Sequence, residues 1–251
     1  MPFTVSHAAA ALPIRGRWLS TSALVIGTVT PDVPLFLPRL PYTTDSTHTL
    51  FATFVTNTVV GLALFVLWHG FFARPADWFA PSAVRSRLAP AHQPGLRVRL
   101  SSPQKFAGVI ASLVIGGITH QVLDWFTHAG TPLTDRFAVF HTQVAGMPLH
   151  YFLQISLSVV GLVLLALWVV RWFRGAAIYP LERQPSMLGK IAARATVLGG
   201  AVAATVLAGW TVGQAGGSVI FAVSVAPVAA AALVSTAIAL IWHLKSPRPL
   251  A

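Results

Sequence analysis

His120, Asp124 and His128 fall at i, i+4 and i+8 of the stretch Gly117-Ile118-Thr119-His120-Gln121-Val122-Leu123-Asp124-Trp125-Phe126-Thr127-His128. On a helix that spacing places two imidazoles and a carboxylate on one stripe. These side chains are ligands for a divalent metal, and they are also the parts of a proton relay. The remaining face is apolar and aromatic, where an ionisable group is costly unless it is paired. The plainer reading is a hydrogen-bonded ladder that holds helices together, with His128 at the water boundary.

Other residues could reach this stripe. Asp32 closes a long apolar run in Thr30-Pro31-Asp32-Val33-Pro34, where two prolines fix the backbone on either side. It is either a helix-end turn residue or a ligand. His48, in Ser46-Thr47-His48-Thr49, either sits near the start of the next apolar run or shares a site with Asp32 and Asp124. His7 lies in an apolar segment, residues 3–13, that is too short to cross a bilayer. If that segment dips in as a half-helix and turns at Arg15-Gly16-Arg17, His7 points toward the bundle core and His120. If it simply starts on the cytoplasmic side, His7 lies a membrane thickness of ~30 Å from the other candidates. His141 and His150 share an outer loop with uninformative spacing, while His69, His92 and His243 fall on the opposite side and read as non-functional. Trp125 and Phe126 read as packing or interfacial aromatics. There is no cysteine, so a metal must be held by His and Asp. No Gly-rich phosphate loop or Ser nucleophile elbow is present.

The elements that must position these residues are membrane helices. Of 251 residues, 55% are hydrophobic and only 9% charged, the composition of a membrane protein. Long apolar runs occupy 19–37, 50–72, 106–128, 151–173, 191–213 and 218–242. The expected fold is an all-α, polytopic membrane helical bundle of about six transmembrane helices plus a short N-terminal helix. Residues 1–173 form the bundle carrying the His/Asp site, with a basic cytoplasmic loop at 73–105. Residues 174–251 form a C-terminal helical hairpin, rich in Ala, Gly and Val, that acts as a packing appendage. The first segment lacks a basic region ahead of its apolar part and does not read as a cleaved signal.

The net charge of +11 comes from 17 Lys and Arg against 6 Asp and Glu. The basic residues lie between the apolar runs without interleaved aromatics, which argues for membrane orientation and against nucleic acid. Arg15 and Arg17, the group from Arg74 to Lys105, the group from Arg171 to Lys190, and Lys245 with Arg248 mark alternate loops as cytoplasmic. Asp32, Asp45, His48, Asp124, His128, His141 and His150 then gather at the extracytoplasmic face. His120 lies two turns deeper than His128, roughly 12 Å at ~1.5 Å per residue.

Met1-Pro2-Phe3-Thr4-Val5-Ser6-His7, the run Ala23 to Gly27 leading into Pro31-Asp32, His48, and His120-x-x-x-Asp124-x-x-Thr127-His128 together resemble DUF4184, a family of actinobacterial membrane proteins. The resemblance covers most of residues 1–170. More distantly, the order of these motifs looks like the membrane-bound, predicted metal-dependent hydrolases of the YdjM type. The His-x-x-x-Asp element is also similar to one in zinc-dependent phospholipase C, whose second His-x-x-x-Glu helix has no counterpart here; the only glutamate is Glu182. The family resemblance also favours a role for His7.

The sequence thus points to a metal-dependent hydrolase of the bacterial cytoplasmic membrane. One or two divalent ions, with zinc the expected metal, are held by ligands drawn from His7, Asp32, His48, His120, Asp124 and His128, and Asp32 or Asp124 serves as catalytic base instead of ligand. The bilayer is its partner and a lipid or lipid-linked ester or phosphoester its substrate. The rival is a non-enzymatic transporter or proton- or ion-binding protein using the same stripe. A structural envelope protein is the third reading, and oligomeric state stays open.

Overall fold

A computed structural model describes residues 4–14, 16–37, 41–88, 94–181, 186–214 and 219–245. Arg15, Arg39, His92, Glu182, Arg183 and Arg248 lie outside the described residues. The chain is helical almost throughout. A 3-10 segment, Thr4–Ala11, comes first. It is followed by α1 (Thr21–Val29), a 3-10 turn Thr30–Asp32, α2 (Val33–Phe36), α3 (Thr44–Thr47), α4 (Leu50–Phe54) and α5 (Thr56–Leu67). A π-helical turn, Trp68–Phe72, leads into α6 (Ala73–Phe79), then α7 (Ser82–Arg85), α8 (Leu96–Arg99), α9 (Pro103–Thr127) and α10 (Pro132–Arg136). After a 3-10 turn at Ala138–His141 and a two-residue-per-strand hairpin, β1 (Gln143–Val144) with β2 (Met147–Pro148), come α11 (Leu149–Gly175), α12 (Met187–Gln214) and α13 (Val219–Lys245).

Among the described residues five helices are long and apolar enough to cross a membrane: Leu50–Phe79, Pro103–Arg136, Leu149–Gly175, Met187–Gly209 and Val225–Lys245. The first of the six expected spans is the shorter apolar helix Thr21–Phe36. Pro31 and Pro34 lack the amide hydrogens that would continue the ladder, and the backbone tightens to 3-10 at Thr30–Asp32. All-α membrane architecture follows from both sequence and structure.

The chain divides into two compact units. One comprises Met1–Pro34, Arg39–Phe65 and Arg97–Gly175; the other comprises Leu35–Pro38, Val66–Leu96 and Ala176–Ala251. In the second unit α12 packs along α13, and both touch α6. There Arg194 Nε donates to the Phe79 carbonyl at 3.1 Å, and His243 Nε2 meets the Phe71 carbonyl at 2.9 Å. Residues from Val66 to Leu88 thus cluster with the C-terminal helices. The helix begun at Leu50 runs on to Phe79, so the basic segment starts with a helical turn that α12 and α13 cover.

The first unit is built on close backbone approach. Ser20 caps α1, its side chain accepting from the Ala23 amide, and Ser102 caps α9 in the same way from Lys105. α1 and α9 then pack in contact at Gly27 and Gly116. A β-carbon at Gly27 would strike the Leu113 carbonyl oxygen, and one at Gly116 the Leu24 carbonyl oxygen. The Thr4–Ala11 segment packs against α1, α9 and α11. Leu24, Phe65, Val109 and Leu113 form a small apolar core. Most other buried side chains are polar, including Thr28, Thr30, Thr47, Thr53, Asn57, Ser112, Gln121, Thr127 and Gln154, while α11 exposes Val159, Leu164, Leu167 and Trp168. A polar interior beneath an apolar exterior is the pattern a lipid solvent selects.

Candidate metal centre

The contact of α1 with α9 sets Thr28 beside His120. His120 is fully buried, and its Nδ1 lies 2.8 Å from the Thr28 carbonyl oxygen. A carbonyl only accepts, so Nδ1 carries the hydrogen and Nε2 presents a lone pair to the interior in the neutral ring. His48, at the C-terminal end of α3, is set in the same way, with Nδ1 2.8 Å from the Thr44 carbonyl oxygen. Two buried amides hold the preceding carbonyl: Asn57 Nδ2 donates to Thr47 O at 2.8 Å and Gln121 Nε2 at 3.1 Å. The Thr47 hydroxyl in turn donates to the Pro31 carbonyl at 2.7 Å, tying His48 to the turn that carries Asp32.

The two Nε2 atoms stand 3.2 Å apart. Two carboxylates close on them. Asp124 Oδ2 is 3.1 Å from His120 Nε2 and 3.2 Å from His48 Nε2. Asp32 Oδ1 is 3.4 Å from His48 Nε2 and 3.8 Å from His120 Nε2, and its Oδ2 accepts from the Thr4 hydroxyl at 2.6 Å. Separations of 3.1–3.8 Å across these pairs are those of ligands that share one ion at about 2.0 Å, the bond length of zinc to imidazole and carboxylate.

On the other side of Asp124, Oδ1 faces His128 Nδ1 at 3.3 Å and His7 Nε2 at 3.5 Å. The 3-10 segment thus carries His7 to the core as the half-helix expectation required, and its ring stacks on His120 with centroids 4.0 Å apart. Gly161 of α11 permits this approach, since a β-carbon there would come within 2.8 Å of the Ser6 carbonyl oxygen. His128 ends α9; its Nδ1 also lies 3.0 Å from Thr127 Oγ1, and its Nε2 is 3.4 Å from the Gln154 amide nitrogen. All six candidates named from sequence therefore meet in one place.

Burial is uneven across the cluster. The side chains of His7, His120, Asp32 and Asp124 are at most 8% exposed, whereas His48 is 25% and His128 27% exposed, so approach is from the His48 and His128 edge. Burial disfavours charge on His48, but hydrogen bonds to Asp124 and Asp32 outweigh it and push the pKa up to about 10. Bringing a cation to this histidine therefore displaces a proton.

Among the described residues two groups bring one donor atom each to within 4.8 Å of one another and could hold a metal ion, His7 with His120 and Asp124, and Asp32 with His48 and His120. The donor chemistry fits a divalent transition metal, with imidazole nitrogens and carboxylate oxygens and two imidazoles oriented by backbone carbonyls.

His141 and His150 are not part of this centre. Their rings stand 5.6 Å apart, His141 Nε2 meets the Thr134 carbonyl at 3.0 Å, and His150 Nδ1 meets the Phe140 carbonyl at 3.0 Å. They staple the loop between α9 and α11. Phe126 is exposed and packs edge-on to Phe140, in keeping with an interfacial aromatic. Sequence reasoning missed Thr4, Thr28, Thr47, Asn57, Gln121 and Gln154, which orient the cluster. Buried polar residues within apolar helices were the available signal for Asn57, Gln121 and Gln154.

Fold and site define a multi-pass helical membrane protein with a buried His/Asp cluster able to hold a metal. The chain belongs to the DUF4184 family, a domain of unknown function, whose profile matches residues 1–242. No curated protein and no solved structure matches it.

Proposed function

We propose that this protein is a membrane metal-dependent hydrolase acting on a lipid or lipid-linked ester or phosphoester at the extracytoplasmic face of the bacterial cytoplasmic membrane. The observation that carries the reading is the 3.2 Å approach of His48 Nε2 and His120 Nε2, each turned inward by the backbone carbonyl on its Nδ1, with two carboxylate oxygens beside them. Without an ion the raised basicity of His48 puts a proton among these atoms, and a divalent cation that displaces the proton would be held by all four groups at once. His48, His120, Asp32 and Asp124 are the ligands for zinc. When bound there, such an ion lowers the pKa of a water and polarises the scissile oxygen.

The protein supplies the rest. Thr28 and Thr44 carbonyls hold the imidazoles in the ligating tautomer, and Thr4 fixes the Asp32 carboxylate. Asp32 is the ligand best placed to leave the set and serve as base instead, because its Oδ2 is held by Thr4 and its Oδ1 has the longest separation in the set, 3.8 Å from His120; three ligands then leave a position for water. The end of α1, the start of α4 and the end of α9 lie together, and the basic loops at the opposite ends of these helices favour an extracytoplasmic side for the cluster. The exposed edge at His48 and His128 is where a headgroup reaches the centre.

Metal analysis of the untagged, detergent-solubilised protein tests this. The wild type should carry at least one equivalent of a transition metal, and His120→Ala should lose about one. Absence of metal from the wild type, even after incubation with zinc, sinks the reading. A second reading then takes over, in which the raised basicity of His48 lets a proton bridge it to His120 and the cluster relays protons or binds a cation without hydrolysis.

A further inference from the structure

We infer that Asp124 bridges two ions, and that the second is a divalent cation held by His7 Nε2, His128 Nδ1 and Asp124 Oδ1. This deepens the proposed function and rests on it. The argument starts from the two oxygens of one carboxylate. Oδ2 is taken up by the His48 and His120 nitrogens at 3.2 and 3.1 Å, and Oδ1 turns to a separate pair, His7 at 3.5 Å and His128 at 3.3 Å.

The second group has an unmet demand that the first leaves untouched. His7 is 2% exposed, yet neither of its ring nitrogens makes a hydrogen bond among the described residues, and the same holds for Asp124 Oδ1. A buried imidazole with both nitrogens unsatisfied is uncommon, and each orphaned polar atom in an interior carries a desolvation cost. One of these orphaned nitrogens, His7 Nε2, lies 3.5 Å from the orphaned Asp124 Oδ1. At 3.5 Å, without hydrogen-bond geometry, they are spaced as two ligands of one ion are spaced, not as a donor and acceptor.

His128 completes the group. Its Nδ1 lies within 3.3 Å of the same oxygen, its Nε2 faces Gln154, and its side chain is 27% exposed. Gln154, buried on α11, becomes the outer partner of this ring when its amide turns to offer Oε1 to Nε2–H, which leaves Nδ1 without a hydrogen and free for the ion. Three protein donors leave a coordination position open, and the partial exposure of His128 puts solvent beside it. A carboxylate bridging paired ions about 3.5–4 Å apart is the arrangement of two-metal hydrolytic centres.

The test is metal stoichiometry by mass spectrometry after loading with excess zinc and desalting, on wild type, His7→Phe and His128→Asn. His7→Phe keeps a ring to stack on His120. His128→Asn sits at a half-exposed helix end, so one variant reports even if the other fails to fold. Two equivalents in the wild type falling to one in the folded variants is the expected result. One equivalent in the wild type, unchanged in both, overturns the second ion and leaves the first intact. One equivalent that is lost in either variant overturns the division into two sites. Two equivalents unchanged in the variants also overturns it, and none in any protein removes the proposed function itself.

Discussion

His48 and His120, 72 residues apart, bring their Nε2 atoms to 3.2 Å while each commits Nδ1 to a backbone carbonyl. The relation is held from both sides, by α1 against α9 and by the Thr47 carbonyl clamped between Asn57 and Gln121. Neither ring can rotate away without breaking its hydrogen bond to a backbone carbonyl.

A preformed set of ligands binds an ion without reorganising, so binding should appear as stability. Zinc at 100 times its dissociation constant adds about 2.7 kcal/mol to the folded state, enough to raise Tm by several degrees. Wild type should show that shift in a thermal melt and lose it in chelator. Asp124→Asn, which keeps the volume and removes the charge, should show neither. A melt that ignores both zinc and chelator while Asp124→Asn drops sharply in Tm would mean that the stripe is only a structural ladder.

Thr4 reaches the centre only through Asp32, to which it donates at 2.6 Å. Thr4→Val preserves shape and removes that donor. Zinc affinity, measured by competition with a chromophoric chelator, should weaken by about 10-fold to 100-fold, the usual effect of losing an outer partner of a ligand. Asn57→Ala should act in the same direction through His48. Unchanged affinity in both variants would show that neither contact orients the cluster.

The sequence made the helices legible because apolar runs of spanning length are unambiguous, and the spacing of His120, Asp124 and His128 placed them on one stripe. It could not yield the partition of Asp124 between two pairs of histidines, which depends on where Asp32, His48 and His7 arrive from elsewhere in the chain. Gly27 and Gly116 hid the reason α1 and α9 meet, since glycine in an apolar helix reads as neutral until a neighbouring backbone is seen. The placement of Val66 to Leu88 with α12 and α13 was equally hidden, because a basic, Pro-rich segment gives no periodic face to match.

His141 and His150 separate ligand from bystander. Each has a ring nitrogen on a backbone carbonyl of the α9–α11 connection, and their rings contact each other. His141→Ala and His150→Ala should leave zinc stoichiometry unchanged while making that connection more susceptible to limited proteolysis. Loss of metal in either would require the loop to close over the site.

Gly116 offers the sharpest test of how the site is positioned. A side chain there meets the Leu24 carbonyl and the Thr28 amide on α1, which are backbone atoms that cannot swing aside. Gly116→Val should therefore push α1 from α9, moving the Thr28 carbonyl off His120 Nδ1 and Asp32 away from His48. Overpacking of this kind costs about 1–3 kcal/mol where side chains can yield and more where backbone is struck. Gly199, on α12, has open space where a β-carbon would go, so Gly199→Val should melt within about 2 °C of wild type, as substitutions away from packed features do. If Gly116→Val kept both its melting temperature and its zinc, the close contact of α1 and α9 could not be what sets the distance between His48 and His120.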